Sequence, residues 1–254
     1  MGEVQPLPSS RFLGQGAIKL LATDMDGTLT RQGKFTAALL QGLERLQQAG
    51  LPVVIVTGRS AGWVSGLAHY LPVAGAMAEN GGIYFPAGQP PEPLIELADG
   101  VAHRQQLQAV FAQLQRRWPQ IQASEDNPFR LTDWTFAIDG LSTADLEGMA
   151  ELCQGLGWGF VYSTVQCHLF RPGQSKAAGL QQVLQRHFPA LSTPEVLTLG
   201  DSPNDETLFD PVLFPRSVGV ANIKDYWPHL LHRPAYVTPA AAVEGFLQVV
   251  DALT

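Results

Sequence analysis

Four short, largely apolar runs in this chain each stop at a cluster of small and polar residues, and that repetition constrains the fold more than any other feature. Ile18–Ala22 runs into Asp24-Met25-Asp26-Gly27-Thr28, and Pro52–Val56 into Thr57-Gly58-Arg59-Ser60. Val73–Ala78 runs into Glu79-Asn80-Gly81-Gly82, and Val196–Leu199 into Gly200-Asp201-Ser202-Pro203-Asn204-Asp205. Runs of this length, bounded by Gly and Pro, read as buried strands. Helical spacing separates them: Thr36–Ala49 with Gly50 as a stop, a second helix through about Tyr70, and Lys176–Phe188. Strands alternating with helices predict a parallel sheet with right-handed crossovers. The polar ends of its strands then share one edge, where open α/β sheets hold their ligands.

The alternation breaks after Phe85. Pro86–Pro93 is rich in Pro and Gly and reads as a connection leaving the sheet. A helix over about 102–118, a strand over 134–138, a helix over 143–156 and strands over 159–162 and 166–170 follow. This order predicts a separate small α+β unit with an antiparallel sheet. Arg171-Pro172-Gly173 is its exit, after which the α/β pattern resumes with strands near 217–220 and 236–238 and a closing helix over 240–252. The expected organisation is an N-terminal lead over 1–16, a core from 17–85 and 173–254, and an inserted unit over 86–172. Within that unit Trp118, Trp134 and Trp158 are expected to form core, and Arg130 with the polar stretch Ser124–Asn127 to face a ligand.

The 254 residues carry a formal net charge of −7, which disfavours a nucleic-acid-binding surface. No run approaches the roughly 18 apolar residues of a membrane span, and the N-terminus lacks a secretory apolar region. A cytoplasmic protein without membrane or nucleic-acid partners is expected. Its two cysteines, Cys153 and Cys167, have no metal or redox spacing and read as free thiols. The six histidines likewise show no ligand spacing and read as structural or surface residues.

Chemistry concentrates at the strand ends. Asp24 and Asp26, two apart, point the same way if both lie on a strand, and such a pair is costly unless a cation or shared proton offsets it. Several carboxylates without His or Cys favour a hard, oxygen-liking cation such as Mg²⁺ over zinc. Asp24 can serve as a nucleophile forming an acyl phosphate, and Asp26 as the acid and base for the leaving group and water. Lys176, the Thr57 hydroxyl and backbone N–H groups can neutralise a phosphoryl group in flight. Glu79 is read as ending its strand, Asn80 and Gly81 as shaping the loop, and Arg59 as facing either a phosphate or an acid.

Taken in order, these pieces resemble the haloacid dehalogenase superfamily of aspartate-nucleophile phosphohydrolases. Asp24-Met25-Asp26-Gly27-Thr28 is similar to its first motif, Thr57 to the second, Lys176 to the third, and Gly200–Asp205 to the fourth. The insertion between the second and third, with Glu79-Asn80-Gly81 and Val220-Ala221-Asn222, resembles the C2-capped, Cof-type class IIB branch, which includes sucrose-phosphate and mannosyl-3-phosphoglycerate phosphatases. Ala177 departs from the Gly often found after the third-motif lysine. The resemblance implies a Rossmann-like parallel-sheet core with helices on both faces and an α+β cap. It implies Asp24 as nucleophile and Asp26 as general acid/base. Thr57, Gly58, Lys176 and Asn204 would bind phosphate, and Asp24, Asp26 (through its carbonyl), Asp201 and Asp205 would hold Mg²⁺. The implied activity is hydrolysis of a small phosphorylated metabolite, a sugar or glycosyl phosphate, by a monomer or homodimer. Two other readings stay open: a sugar phosphomutase of the same fold, and a non-catalytic phosphometabolite-binding regulator.

Overall fold

The computed structural model describes residues 18–254 and the backbone of Gln5–Pro6. The lead expected over 1–16 otherwise lies outside the described residues. In chain order the elements are β1 (Gln5–Pro6), β2 (Leu20–Thr23), α1 (Ala37–Gln48), β3 (Val53–Val56), α2 (Ala61–Tyr70) and β4 (Gly75–Ala78). Next come β5 (Ile83–Pro86), β6 (Glu92–Pro93), α3 (Gly100–Arg117), β7 (Asp133–Ala137), α4 (Thr143–Gly155), β8 (Gly159–Tyr162) and β9 (Gln166–Phe170). The chain closes with α5 (Lys176–His187), β10 (Val196–Gly200), β11 (Ser217–Gly219), β12 (Tyr236–Val237) and α6 (Ala242–Leu253).

The main sheet has the order β1-β12-β11-β10-β2-β3-β4-β5-β6, parallel from β1 to β4. Because strand side chains alternate, Leu21, Ile55, Leu197 and Leu199 face one way, against α1, α2 and α6. Leu20, Ala22, Val54, Val56 and Val196 face the other, against α5 and the Leu208–Phe209 turn. Both faces are covered, which is why these strands read as continuous apolar runs rather than as alternating ones. No helix among the described residues is long and apolar enough to cross a membrane.

The segment Pro86–Pro93 does not leave the sheet as expected. The chain turns back at Glu79–Gly82, and β5 and β6 add antiparallel to the edge. Glu79, Asn80 and Gly81 all have positive φ, 53°, 51° and 97°. The turn therefore reverses the chain within four residues, and two non-glycine residues sit in a conformation that costs free energy.

The three-stranded antiparallel sheet β7-β9-β8 packs on α3 and α4 around its own core, including Leu107, Phe111, Leu114, Phe136, Met149 and Leu169. Trp118 is buried in that core, and Trp134 and Trp158 pack against it, as the sequence suggests. Cys153 and Cys167 are free and buried there.

Helix α5 rests on the reversal through Gly179, where a Cβ would lie 2.6 Å from the Gly81 Cα and 2.5 Å from Met77 Sδ. Alanine normally stabilises a helix interior by about 1 kcal/mol over glycine. Here overpacking against backbone outweighs that gain, so Gly179→Ala should destabilise the fold by about 1–3 kcal/mol in chemical denaturation. A neutral or stabilising result would contradict the tight seat of α5.

Candidate active site

Four neighbouring strands of the sheet, β10, β2, β3 and β4, end at Asp201, Asp24, Thr57 and Glu79 respectively. Asp24, Thr57, Glu79, Lys176, Asp201, Asn204 and Asp205 are all buried. Asp24, Asp201 and Asp205 each bring a carboxylate oxygen within 4.8 Å of the others. Lys176 enters from the first turn of α5, and its Nζ bridges Asp24 Oδ1 and Asp205 Oδ1 at 2.6 Å each. The second oxygen of Asp205 accepts hydrogen bonds from the backbone N–H of Asp201 (2.9 Å) and Ser202 (3.1 Å). That carboxylate thus holds both Lys176 and the turn that carries Asp201.

Asp24 Oδ2 has a different environment: it is buried and receives no hydrogen bond. Burial raises the Asp24 pKa to about 7, with Lys176 opposing and the Asp205 charge adding to the rise. Burial likewise pushes Asp201 well above the usual carboxylate range, helped by the charges of Asp24 and Asp205. Three buried carboxylates outnumber one ammonium, and without a cation the excess charge is relieved by proton uptake at Asp24 and Asp201. An all-oxygen donor set with an orphaned Asp24 oxygen suits a hard divalent cation. Asn222 Nδ2 fixes Asp201 Oδ2 at 2.8 Å. Gly27, at φ 78°, admits that carboxylate, since a Cβ there would sit 2.2 Å from Asp201 Oδ2.

Asp26 reaches the same cavity as Asp24, but not through the strand pleat. Strand β2 ends at Thr23, and Asp26 lies in the following turn. Its carboxylate is held by Arg59 Nε and Nη2, both at 2.8 Å, so the acid rather than a phosphate is the partner of Arg59 here. Asn204 Nδ2 donates to Asn80 Oδ1 at 3.0 Å, while its own Oδ1 accepts from Ser202 Oγ. One cavity is lined by Asp24, Asp26, Thr57, Gly58, Arg59, Ser202 and Asn204 from the large sheet, and by Ser163, Val165, Gln166 and His168 from the smaller unit. All the sequence-expected site residues thus gather at this edge, Lys176, Asp201 and Asp205 forming the buried floor beside Asp24.

Glu79 stays out of the chemistry, in keeping with its sequence reading, whereas Arg130 and His168 depart from theirs. Glu79 does not reach the acid cluster; its carboxylate accepts from Ala61 N, Leu131 N, Thr132 N and Thr132 Oγ1, tying the large sheet to the segment entering β7. Arg130 is fully buried and committed to Gly58 O, Asp133, Asp126 and Gln166, so it is a brace rather than an open ligand contact. His168, read as structural or surface, is 1% exposed and lines the cavity. The alternation of Gln166 and His168 with buried Cys167 and Leu169 places the first pair on one face of β9, a signal present in the sequence.

The raised pKa of Asp24 makes a signed prediction. Its folded-state value, about 7 against 3.8, means that the folded chain binds the proton more tightly than the unfolded chain does. The stability contributed by that proton is present at low pH and lost as pH rises from 3.8 to about 7. In chelator, Asp24→Asn should therefore gain stability relative to the unsubstituted protein across that window, by on the order of 4 kcal/mol. Denaturant titrations at several pH values measure this; a difference that shrinks as pH rises would contradict it.

Comparison with known proteins agrees with this geometry. Residues 21–92 match the family described as haloacid dehalogenase-like hydrolase. A phosphoglycolate phosphatase of Haloarcula marismortui is 30% identical over 237 residues, covering 91% of this chain and 95% of that protein. The solved structure of Thermoplasma acidophilum 0175 superposes with a TM-score of 0.75 at 22% identity, covering 93% of this chain and 98% of that one. The sucrose-phosphatase of Synechocystis sp. PCC6803, solved with sucrose and phosphate, gives a TM-score of 0.65 at 16% identity, with coverage of 93% and 98%. The strand-end acids, the bridging lysine and these likenesses lead to one assignment: the chain belongs to the haloacid dehalogenase-like hydrolases, as a phosphatase.

Proposed function

We propose that the protein is a Mg²⁺-dependent phosphohydrolase that frees a small phosphorylated metabolite of its phosphate through an aspartyl phosphate on Asp24. The observation that carries this reading is the contrast between the two oxygens of Asp24. Oδ1 is held by Lys176 at 2.6 Å, whereas Oδ2 is buried without a partner. A carboxylate fixed by one oxygen presents the other as a nucleophile without further loss of rotational freedom.

In this reading Asp24 Oδ2 attacks phosphorus in line, the phosphorus–oxygen bond to the leaving group breaks, and Asp26 delivers a proton to the departing oxygen. Asp26 then takes a proton from water, which attacks the acyl phosphate, releases inorganic phosphate and restores Asp24. Arg59, on two hydrogen bonds, sets the direction of the Asp26 carboxylate. Thr57, the Gly58 N–H, Asn204 and Lys176 receive the phosphoryl oxygens. Asp24, Asp201 and the Asp26 carbonyl would hold Mg²⁺, with Asp205 behind them, and the cation would neutralise charge on the phosphoryl group.

The unit built from α3, α4 and β7–β9, Gly100–Phe170, acts as the cap, and its closure excludes bulk water from the acyl phosphate. The relatives named phosphoglycolate phosphatase point to the leaving group. We therefore place a two-carbon phosphorylated acid ahead of the sugar phosphates that the motifs alone suggest.

Phosphate release from 2-phosphoglycolate and a panel of sugar phosphates, with Mg²⁺, tests the reading. Chelator should abolish release and added Mg²⁺ restore it. Asp24→Asn should leave no measurable turnover, and Asp26→Asn should lower kcat by about 10²–10⁴-fold. Turnover retained by Asp24→Asn, or release that is indifferent to chelator, would refute it.

A further inference from the structure

The cap places four residues on the cavity, and three of them have nothing to offer a ligand. Val165 is apolar, and Ser163 Oγ accepts from the N–H groups of Val165 and Gln166. Gln166 is committed at both ends, its Oε1 to Arg130 and its Nε2 to Ser124 and Asp126. His168 differs. Its Nδ1 lies 2.9 Å from Asp133 Oδ2, and no hydrogen bond is formed at Nε2 among the described residues.

The ring is aimed rather than loose. Asp133 is wholly buried and is itself clamped by Arg130 Nη1 at 2.9 and 3.0 Å. The Cε1–Nε2 edge lies against Gly58, where a Cβ would approach it to 2.9 and 3.1 Å. Gly58 follows Thr57 in the loop that receives phosphate under the proposed function. The Nε2 edge thus stands beside the loop on which the phosphoryl group would rest, on the cap side of the cavity.

We propose that His168, oriented by Asp133, is the residue by which the cap selects its substrate, its Nε2–H binding the carboxylate of a phosphorylated hydroxy acid. The inference rests on the phosphatase reading above and adds the group that reads the leaving end. Charge within the cap favours it. Three acids, Glu79, Asp126 and Asp133, and two guanidinia, Arg104 and Arg130, act on one another here, so the cluster is one positive charge short and an imidazolium would balance it. Burial opposes that charge and lowers the pKa of His168, with Asp133 raising it and Arg130 and Lys176 lowering it further. Across the cavity Arg59 is engaged with Asp26 and adds no uncommitted cation. A carboxylate arriving at Nε2 adds a second negative neighbour to the ring and favours the imidazolium, so substrate binding takes up one proton at His168.

The test compares 2-phosphoglycolate with 2-hydroxyethyl phosphate, which differs in bearing a hydroxymethyl group where the former has the carboxylate. The unsubstituted enzyme should favour the carboxylate ester, mainly through KM, and that preference should weaken as pH rises through the imidazole titration. His168→Gln should lower the preference by about tenfold or more, the range of one charge-assisted hydrogen bond, and should flatten its pH dependence. Equal losses on both esters would assign His168 a merely structural role and overturn the proposal. Selective loss on the hydroxyethyl ester would overturn it in favour of Nε2 accepting from a hydroxyl. Should His168→Gln fail to fold, the pH series on the unsubstituted enzyme decides alone, and a preference that does not vary with pH overturns the proposal. If 4-nitrophenyl phosphate is hydrolysed but the two small esters show no preference, only this proposal fails. If no ester is hydrolysed, the phosphatase reading fails with it.

Discussion

The buried Lys176 ammonium, shared between Asp24 and Asp205 at 2.6 Å each, is the interaction on which the rest of the site depends. Taking three carboxylates and an ammonium out of water costs several kcal/mol per ion, and one ammonium cannot compensate three acids. The arrangement is stable in a folded chain because both faces of the parallel sheet are packed and because backbone N–H groups at the ends of β10 hold Asp205. Removing Lys176 alone would leave uncompensated buried charge, a loss of about 3–5 kcal/mol in comparable pairs. The same excess of negative charge that strains the site without a cation prepares it to receive one.

A second set of buried polar contacts joins the α/β core to the smaller α+β unit. Glu79, held at positive φ at the end of β4, accepts from four donors on three residues, two of which, Leu131 and Thr132, belong to the smaller unit. Gln174, at the return crossing, donates to Glu79 O and lies 3.2 Å from Thr132 Oγ1. Arg130 reaches back to Gly58 O. Both chain crossings are thereby referenced to the strand ends that carry the acids, so the position of β9 over the site is set by core residues. That coupling is what brings His168 against Gly58 rather than into solvent.

Much of this was legible in the sequence, for identifiable reasons. Parallel strands covered on both faces write themselves as short apolar runs, and Asp24, Thr57, Asp201 and Lys176 are adjacent to element ends that Gly, Pro and Ser mark. The antiparallel return of β5 and β6 was not legible. Pro86–Pro93 carries the turn composition of a linker, and its edge pairing depends on the left-handed reversal at Glu79–Gly81, a conformation glutamate rarely adopts. The roles of Glu79, Arg130 and His168 were hidden because each depends on partners between 3 and 72 positions away in the chain, such as Asp133 for Arg130 and Gly58 for Arg130. Single-residue patterns carry no information about such pairs. Asp26 converged on the site as expected but by a turn rather than by strand pleating, since β2 stops at Thr23.

The central claim is that Asp24 becomes covalently phosphorylated during turnover, and trapping that adduct tests it most directly. The enzyme is mixed with substrate and Mg²⁺, quenched in acid within the first turnovers, digested, and examined by mass spectrometry. The account predicts a phosphoryl group on the peptide bearing Asp24, labile to hydroxylamine as acyl phosphates are, and absent from Asp24→Asn. A phosphoryl group on another side chain, or steady turnover with Asp24 unmodified throughout, would contradict it.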